Sequence, residues 1–197
     1  QGIPCERFVT NITYYNKDFY TAIKKENLFF GTVFYGDAYY RARPFNISEI
    51  GKNADRVFVM AYDFSKARGN PGPNFPFEEA DYGYSFKTMI QDFMSQVPKQ
   101  KLTVVFGMFG YDWVIDEQGR GRNQAVAKST FEFQKFLTLC VSEDSCKVHV
   151  NDASETKITY EKDFEQHEVW FENENSVEQK IEYLHSQGIN SIGYWAY

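Results

Sequence analysis

The sequence predicts a single α/β domain, residues 1–197, built on a parallel sheet. Short apolar runs recur along the chain with helix-forming stretches between them, and each run is nearly continuous rather than alternating in polarity. Strands buried on both faces of a parallel sheet have that character. Strand–helix alternation then implies parallel pairing through right-handed crossovers.

Taken in order, a helix over Lys17 to Glu26 leads into a first strand, Leu28 to Tyr35. A short helix from Ile47 to Asn53 precedes the second strand, Val57 to Tyr62. Gly69 to Pro76 reads GNPGPNFP and is a loop, because its glycines and prolines suit neither a helix nor a central strand. A helix over Tyr84 to Gln96 is stopped by Pro98, and the third strand runs from Leu102 to Phe109. Gln124 to Cys140 is the next helix. The segment from about 141 to 172 carries a different signal: Val148 to Val150 and Lys157 to Tyr160, with Asn151 and Asp152 between them, predict a small antiparallel insertion. Ser176 with Gln179 fits a capping box for a last helix to Gln187. Gly188 sits where a left-handed C-cap is wanted, and Ile189 to Trp195 is the fourth strand. Four such strands fit either an open sheet or half of a barrel.

Composition narrows the function classes. The net charge of −6 argues against nucleic acid, whose phosphates demand a basic surface. No apolar run approaches the roughly 20 residues that span a bilayer. Aromatic residues reach 18%, which suits a sugar cleft, where a ring packs on the C–H face of a pyranose; an aromatic core accounts for the same figure. Cys140 and Cys146 bracket a short polar loop at a spacing compatible with a disulfide, which leaves Cys5 without a partner. The sequons at Asn11 and Asn46 are compatible with a secreted protein. His149, His167 and His185 lie far from any cysteine pair at ligand spacing, so no metal or other cofactor is implied. The chain opens on Gln1-Gly2-Ile3-Pro4-Cys5, which reads as a processed or excised start.

Three segments carry a family resemblance. Val57 to Asp63 (VFVMAYD) is similar to the sixth-strand motif of family 18 glycoside hydrolases, followed by the Pro-Gly-Pro-Asn-x-Pro loop of Pro71 to Pro76. Lys101 to Trp113 (KLTVVFGMFGYDW) resembles the seventh strand, with Gly107 and Phe109 where Pro and Tyr are common. His167 to Glu172 (HEVWFE), Ser176, Lys180 and Gly188 to Trp195 resemble the eighth helix and strand. The resemblance covers roughly residues 28 to 197 and implies strands five to eight of a (β/α)8 barrel, a fold of about 250 residues when whole. His167 and Trp170 then belong to the packing of the insertion against the barrel.

The resemblance implies substrate-assisted retaining hydrolysis of β-1,4-linked N-acetylglucosamine, in which the N-acetyl oxygen attacks its own anomeric carbon and one Glu protonates the leaving oxygen. Tyr62 and Asp63 would position the acetamido group. Met60 and Trp195 would line the sugar pocket, with Tyr111, Asp112 and Trp113 at its rim. The family's acid motif, Asp-x-x-Asp-x-Asp-x-Glu, has no match in the chain, so the isolated chain is expected to be inactive. A non-catalytic chitooligosaccharide-binding member, and a scaffold that binds no sugar, are the alternatives. Half a barrel leaves open strand edges and an apolar inner face. Pairing is therefore expected with an N-terminal half, a second copy or another chain.

Overall fold

The computed structural model describes residues 6–78, 82–149, 151 and 153–195. Cys5, Val150 and Asp152, on which some of the expectations above fall, lie outside the described residues. Four parallel strands, β1 (Gly31–Tyr35), β2 (Arg56–Ala61), β3 (Leu102–Gly107) and β9 (Ile192–Trp195), stand side by side in chain order.

The two faces of this sheet differ. In-register parallel neighbours point to the same side, so Phe34, Val59, Val104 and Ile192 form one row, and Ala61, Phe106 and Tyr194 another. Apart from the β9 members these side chains are buried, packed with Ile47 and Ile50 of α2 (Ile47–Lys52), Met89, Ile90 and Phe93 of α3 (Phe86–Gln96), and Val177 and Leu184 of α5 (Glu174–Ser186). Burying one such side chain contributes roughly 1.5–3 kcal/mol. The opposite face is open: Val33, Tyr35 and Trp195 are exposed, and Phe58, Met60 and Val105 are half-buried. Among the described residues β1 and β9 have no further strand beside them.

The chain leaves this sheet earlier than its sequence suggests. The third strand was expected to reach Phe109, but β3 ends at Gly107 and Phe109 opens β4 (Phe109–Ile115). This strand enters a second, antiparallel sheet of order β5-β4-β8-β7-β6. The insertion expected from about 141 to 172 is thus larger. Besides β6 (Cys146–His149), β7 (Thr156–Lys162) and β8 (Glu165–Phe171), it takes in β4 and β5 (Val126–Ser129). The helix expected from Gln124 therefore begins only at Thr130: α4 (Thr130–Ser142) starts at a Ser129–Glu132 capping box, because Val126 to Ser129 pair with β4. Gly110 permits the close approach of β4 to β8, since a Cβ there would lie 2.2 Å from the Trp170 carbonyl oxygen.

Phe133 of α4 packs on Phe171, Ile158 and Val169 of this sheet. The Cys140–Cys146 disulfide ties the helix end to β6. The last helix is capped by Asn173 with Ser176 three residues on, rather than by Ser176 with Gln179. Gly188 has the left-handed backbone the C-cap requires, at φ 77°. At the other end α1 (Glu6–Lys25) is longer than expected, has no buried residue, and lies on α2 through Asn16, which donates to the Asn53 carbonyl. No helix among the described residues is long and apolar enough to cross a membrane.

Candidate active site

Tyr62 and Asp63 follow β2 directly, at the C-terminal end of the sheet. Asp63 takes a left-handed backbone conformation, φ 59°, uncommon outside glycine and tolerated best by Asn and Asp. Its N–H donates to Asn74 Oδ1 at 2.8 Å. The Asn74 amide in turn donates to the carbonyls of Gly107 and Phe109 at 3.1 and 3.2 Å. One side chain therefore clips the end of β2 to the turn between β3 and β4, and both strand ends are positioned together.

A buried charge cluster fixes Asn74. Glu155 accepts from the N–H groups of Asn74 and Phe75 at 2.6 and 2.7 Å. Lys180 donates to Glu155 at 3.1 Å and to both oxygens of Glu172 at 2.9 and 2.7 Å, with all three side chains essentially inaccessible. Burial pushes the Glu172 carboxyl up to about 8 against the pull of Lys180, while the two carboxylates hold the Lys180 ammonium above its usual value despite burial. Neither Asn74 nor Glu155 was singled out from the sequence as a site residue. The only signal was the Asn within the Pro-Gly-Pro-Asn loop.

The open face carries the aromatic side chains. Gly107 pairs with Trp195 across β3 and β9, and a Cβ on Gly107 would fall 2.7 Å from Tyr62 Cβ and 2.5 Å from the Phe109 ring. Tyr62, Gly107 and Trp195 thus form one row on the same side of the sheet. Met60 lies in the next row on that side, between Tyr35 and Val105. Phe109 meets Tyr62 edge to face at 5.9 Å. Burial, then Asp63 and Tyr35, raises the Tyr62 phenol above its ordinary pKa, which keeps it a hydrogen-bond donor at neutral pH.

The three rim residues separate. Tyr111 donates to Asp63 Oδ1 at 2.7 Å and so joins Tyr62 and Asp63. Asp112, on the other side of β4, accepts from Tyr160 at 2.6 Å and meets His167 Nδ1 at 2.9 Å; both its oxygens are engaged within the antiparallel sheet. Trp113 is fully buried with Ala125, Ala153 and Trp170. The expectation that Asp112 and Trp113 face sugar is corrected on those grounds: strand alternation turns one away and packing covers the other. His167 and Trp170 lie within the antiparallel sheet. Among the described residues no three His, Cys, Asp or Glu side chains converge as metal ligands.

A row of aromatic side chains at the C-terminal edge of parallel strands, beside a Tyr–Asp pair, is the arrangement on which comparison with known proteins bears. The sequence profile of glycosyl hydrolases family 18 matches residues 8–197. The chain belongs to this family. Among curated relatives, the cortical fragment-lytic enzyme of Bacillus anthracis is 28% identical over 149 residues, covering 74% of this chain and 32% of its own length. Two solved structures share the fold: the Bacillus cereus spore cortex-lytic enzyme SleL at TM-score 0.74 and 24% identity, covering 92% of this chain and 41% of that one, and the chitinase of Chromobacterium violaceum at TM-score 0.77 and 18% identity, covering 97% and 57%. The chain spans about a third of the length of the first curated relatives it matches.

Proposed function

We propose that this chain supplies strands five to eight of a family 18 (β/α)8 barrel and one wall of a cleft for β-1,4-linked N-acetylglucosamine. The observation that carries the reading is the shared row of Tyr62 and Trp195 on the open face, with Asp63 held beside it by Tyr111 and Asn74. Active sites of such barrels lie at the C-terminal ends of the strands. In this reading the Tyr62 hydroxyl holds the acetamido oxygen as it closes on the anomeric carbon, Asp63 takes the acetamido N–H, and Trp195 and Met60 floor the sugar. The proton for the leaving oxygen comes from a Glu outside this chain, on the part of the barrel that would close over the open face. An N-terminal half or a separate chain would supply that cover with its acid, whereas a second copy, which has no acid motif of its own, would cover the face without it. The Cys140–Cys146 disulfide supports a secreted location, since such bonds persist in oxidising compartments.

Calorimetric titration of the chain with tetra-N-acetylchitotetraose tests the cleft. Saturable binding that weakens about tenfold in Tyr62→Phe is expected, and no binding by the unaltered chain overturns the reading. Hydrolysis is tested on the chain joined to a family 18 acid-bearing half, where turnover of a fluorogenic chitobioside is expected. Binding without turnover in that assembly would favour the non-catalytic, sugar-binding alternative.

A further inference from the structure

Asn74 grips Asp63 from both sides of its Cα. Its side-chain Oδ1 accepts from the Asp63 N–H at 2.8 Å, and its backbone carbonyl accepts from the Phe64 N–H at 2.7 Å. These N–H groups belong to the two planar peptide units that flank the Asp63 Cα, so one neighbour fixes both φ and ψ of that residue. The conformation so fixed is left-handed, φ 59°, in which a Cβ crowds the following carbonyl. Such a conformation persists only where the surroundings over-determine it. Here it brings Asp63 Oδ1 to the Tyr111 hydroxyl, beside Tyr62.

Asn74 is held in turn from the antiparallel insertion. Glu155, just before β7, receives the Asn74 N–H on one oxygen and the Phe75 N–H on the other, and the Ala153 carbonyl takes the Phe77 N–H at 3.1 Å. As a counter-ion Glu155 is one acid more than Lys180 requires. Glu172 already meets that ammonium with both oxygens, and two buried acids beside one cation disfavour each other's ionisation. What Glu155 adds is a pair of acceptors aimed at the loop that carries Asn74. Asn74 and Glu155 are 2% and 3% exposed, so water does not compete for these bonds.

We infer that Asn74 is a positioning residue for recognition of the acetamido group and that Glu155 acts through it. The antiparallel insertion, and not the parallel sheet alone, then sets where the Asp63 carboxylate stands. The inference rests on the proposed cleft, in which that carboxylate takes the acetamido N–H.

Calorimetric titration of the chain with tetra-N-acetylchitotetraose, together with amide hydrogen exchange, tests it. Asn74→Ala and Glu155→Gln should each weaken binding about tenfold, the worth of a hydrogen bond to a charged group. Asp63→Gly removes the carboxylate and keeps a residue at ease in the left-handed conformation. In that background neither change should weaken binding further, because both act through Asp63. A role confined to stability gives the same loss with the carboxylate or without it. Exchange supplies a second readout: the Asp63 and Phe64 amides should be protected in the unaltered chain and lose protection in Glu155→Gln, while those of Val57 to Ala61 in β2 keep theirs. Glu155→Gln is expected to fold, since Lys180 and Glu172 remain paired. Undiminished binding in Glu155→Gln, an equal loss in the Asp63→Gly background, or protection of Asp63 and Phe64 that survives the change overturns the inference and leaves the cleft standing. No binding by the unaltered chain removes the cleft, and the positioning role with it.

Discussion

Tyr111 donates its phenolic hydrogen to Oδ1 of Asp63 across 2.7 Å, joining the first strand of the antiparallel sheet to the mouth of the parallel one. Burial, reinforced by Asp63, holds the Tyr111 phenol protonated well above its ordinary pKa, so the bond persists through neutral pH. Tyr111→Phe should cost about 1 kcal/mol of stability, read by urea denaturation. It should also weaken chitooligosaccharide binding, because Asp63 loses the partner that orients it.

Gly107 has no room for a side chain. An added Cβ would press on Tyr62 and on the Phe109 ring, so Gly107→Ala should destabilise the fold by about 1–3 kcal/mol and displace Tyr62. Denaturation and sugar titration on the same variant should both report a loss, whereas Gly119→Ala, at a tip with open space around it, should leave sugar binding intact.

Lys180 is the one cation between two buried acidic side chains, Glu155 and Glu172. Lys180→Met should destabilise by about 3–5 kcal/mol, the usual cost of leaving a buried charge unpaired. The unaltered protein should also show a pH signature. The Glu172 carboxyl is raised in the folded state to about 8, so the folded state holds more protons than the unfolded one between the ordinary carboxyl pKa and that value. This contribution is complete below the unfolded pKa and is lost as pH rises through about 8. Chemical denaturation from pH 5 to 8 should show stability falling with pH through this group, and Glu172→Gln should flatten the slope.

The six-residue separation of Cys140 and Cys146 closes a short loop, for which chain entropy gives about 2 kcal/mol. Reduction, or the double change to serine, should lower the stability of α4 on its sheet by that order. The parallel sheet, which the bridge does not touch, should keep its hydrogen-exchange protection.

Much of the parallel sheet was legible because its strands are the chain's continuous apolar runs, and Val57 to Ala61 needed no long-range information to be placed. The break at Gly107 was not legible. Phe109 to Trp113 follows the third apolar run with no turn signal that would separate them, and only contact with β8, more than 50 residues later, turns it into a second sheet. Val126 to Ser129 reads as the first turn of a helix until β4 is there to pair with it. Within the candidate site, Tyr62, Asp63 and Trp195 were singled out through the family resemblance of the segments that carry them. Asn74 and Glu155 were not, because their partnership spans 81 residues and neither has a local pattern. Asn173 and Ser176 are both good caps, and the earlier one prevails because Ser176 then serves as its reciprocal partner.

Trp113 and Trp170 are 0% and 4% exposed, whereas Trp195 is 60% exposed, so a sugar seated on the open face should change the emission of Trp195 alone. Fluorescence titration with tetra-N-acetylchitotetraose, set beside cellotetraose, which has hydroxyls in place of the acetamido groups, asks whether Tyr62 and Trp195 together grip an acetylated sugar. A saturable change with the acetylated sugar, absent with cellotetraose and lost in Trp195→Phe, is the expected result. No response to the acetylated sugar, or equal responses to both, would contradict it.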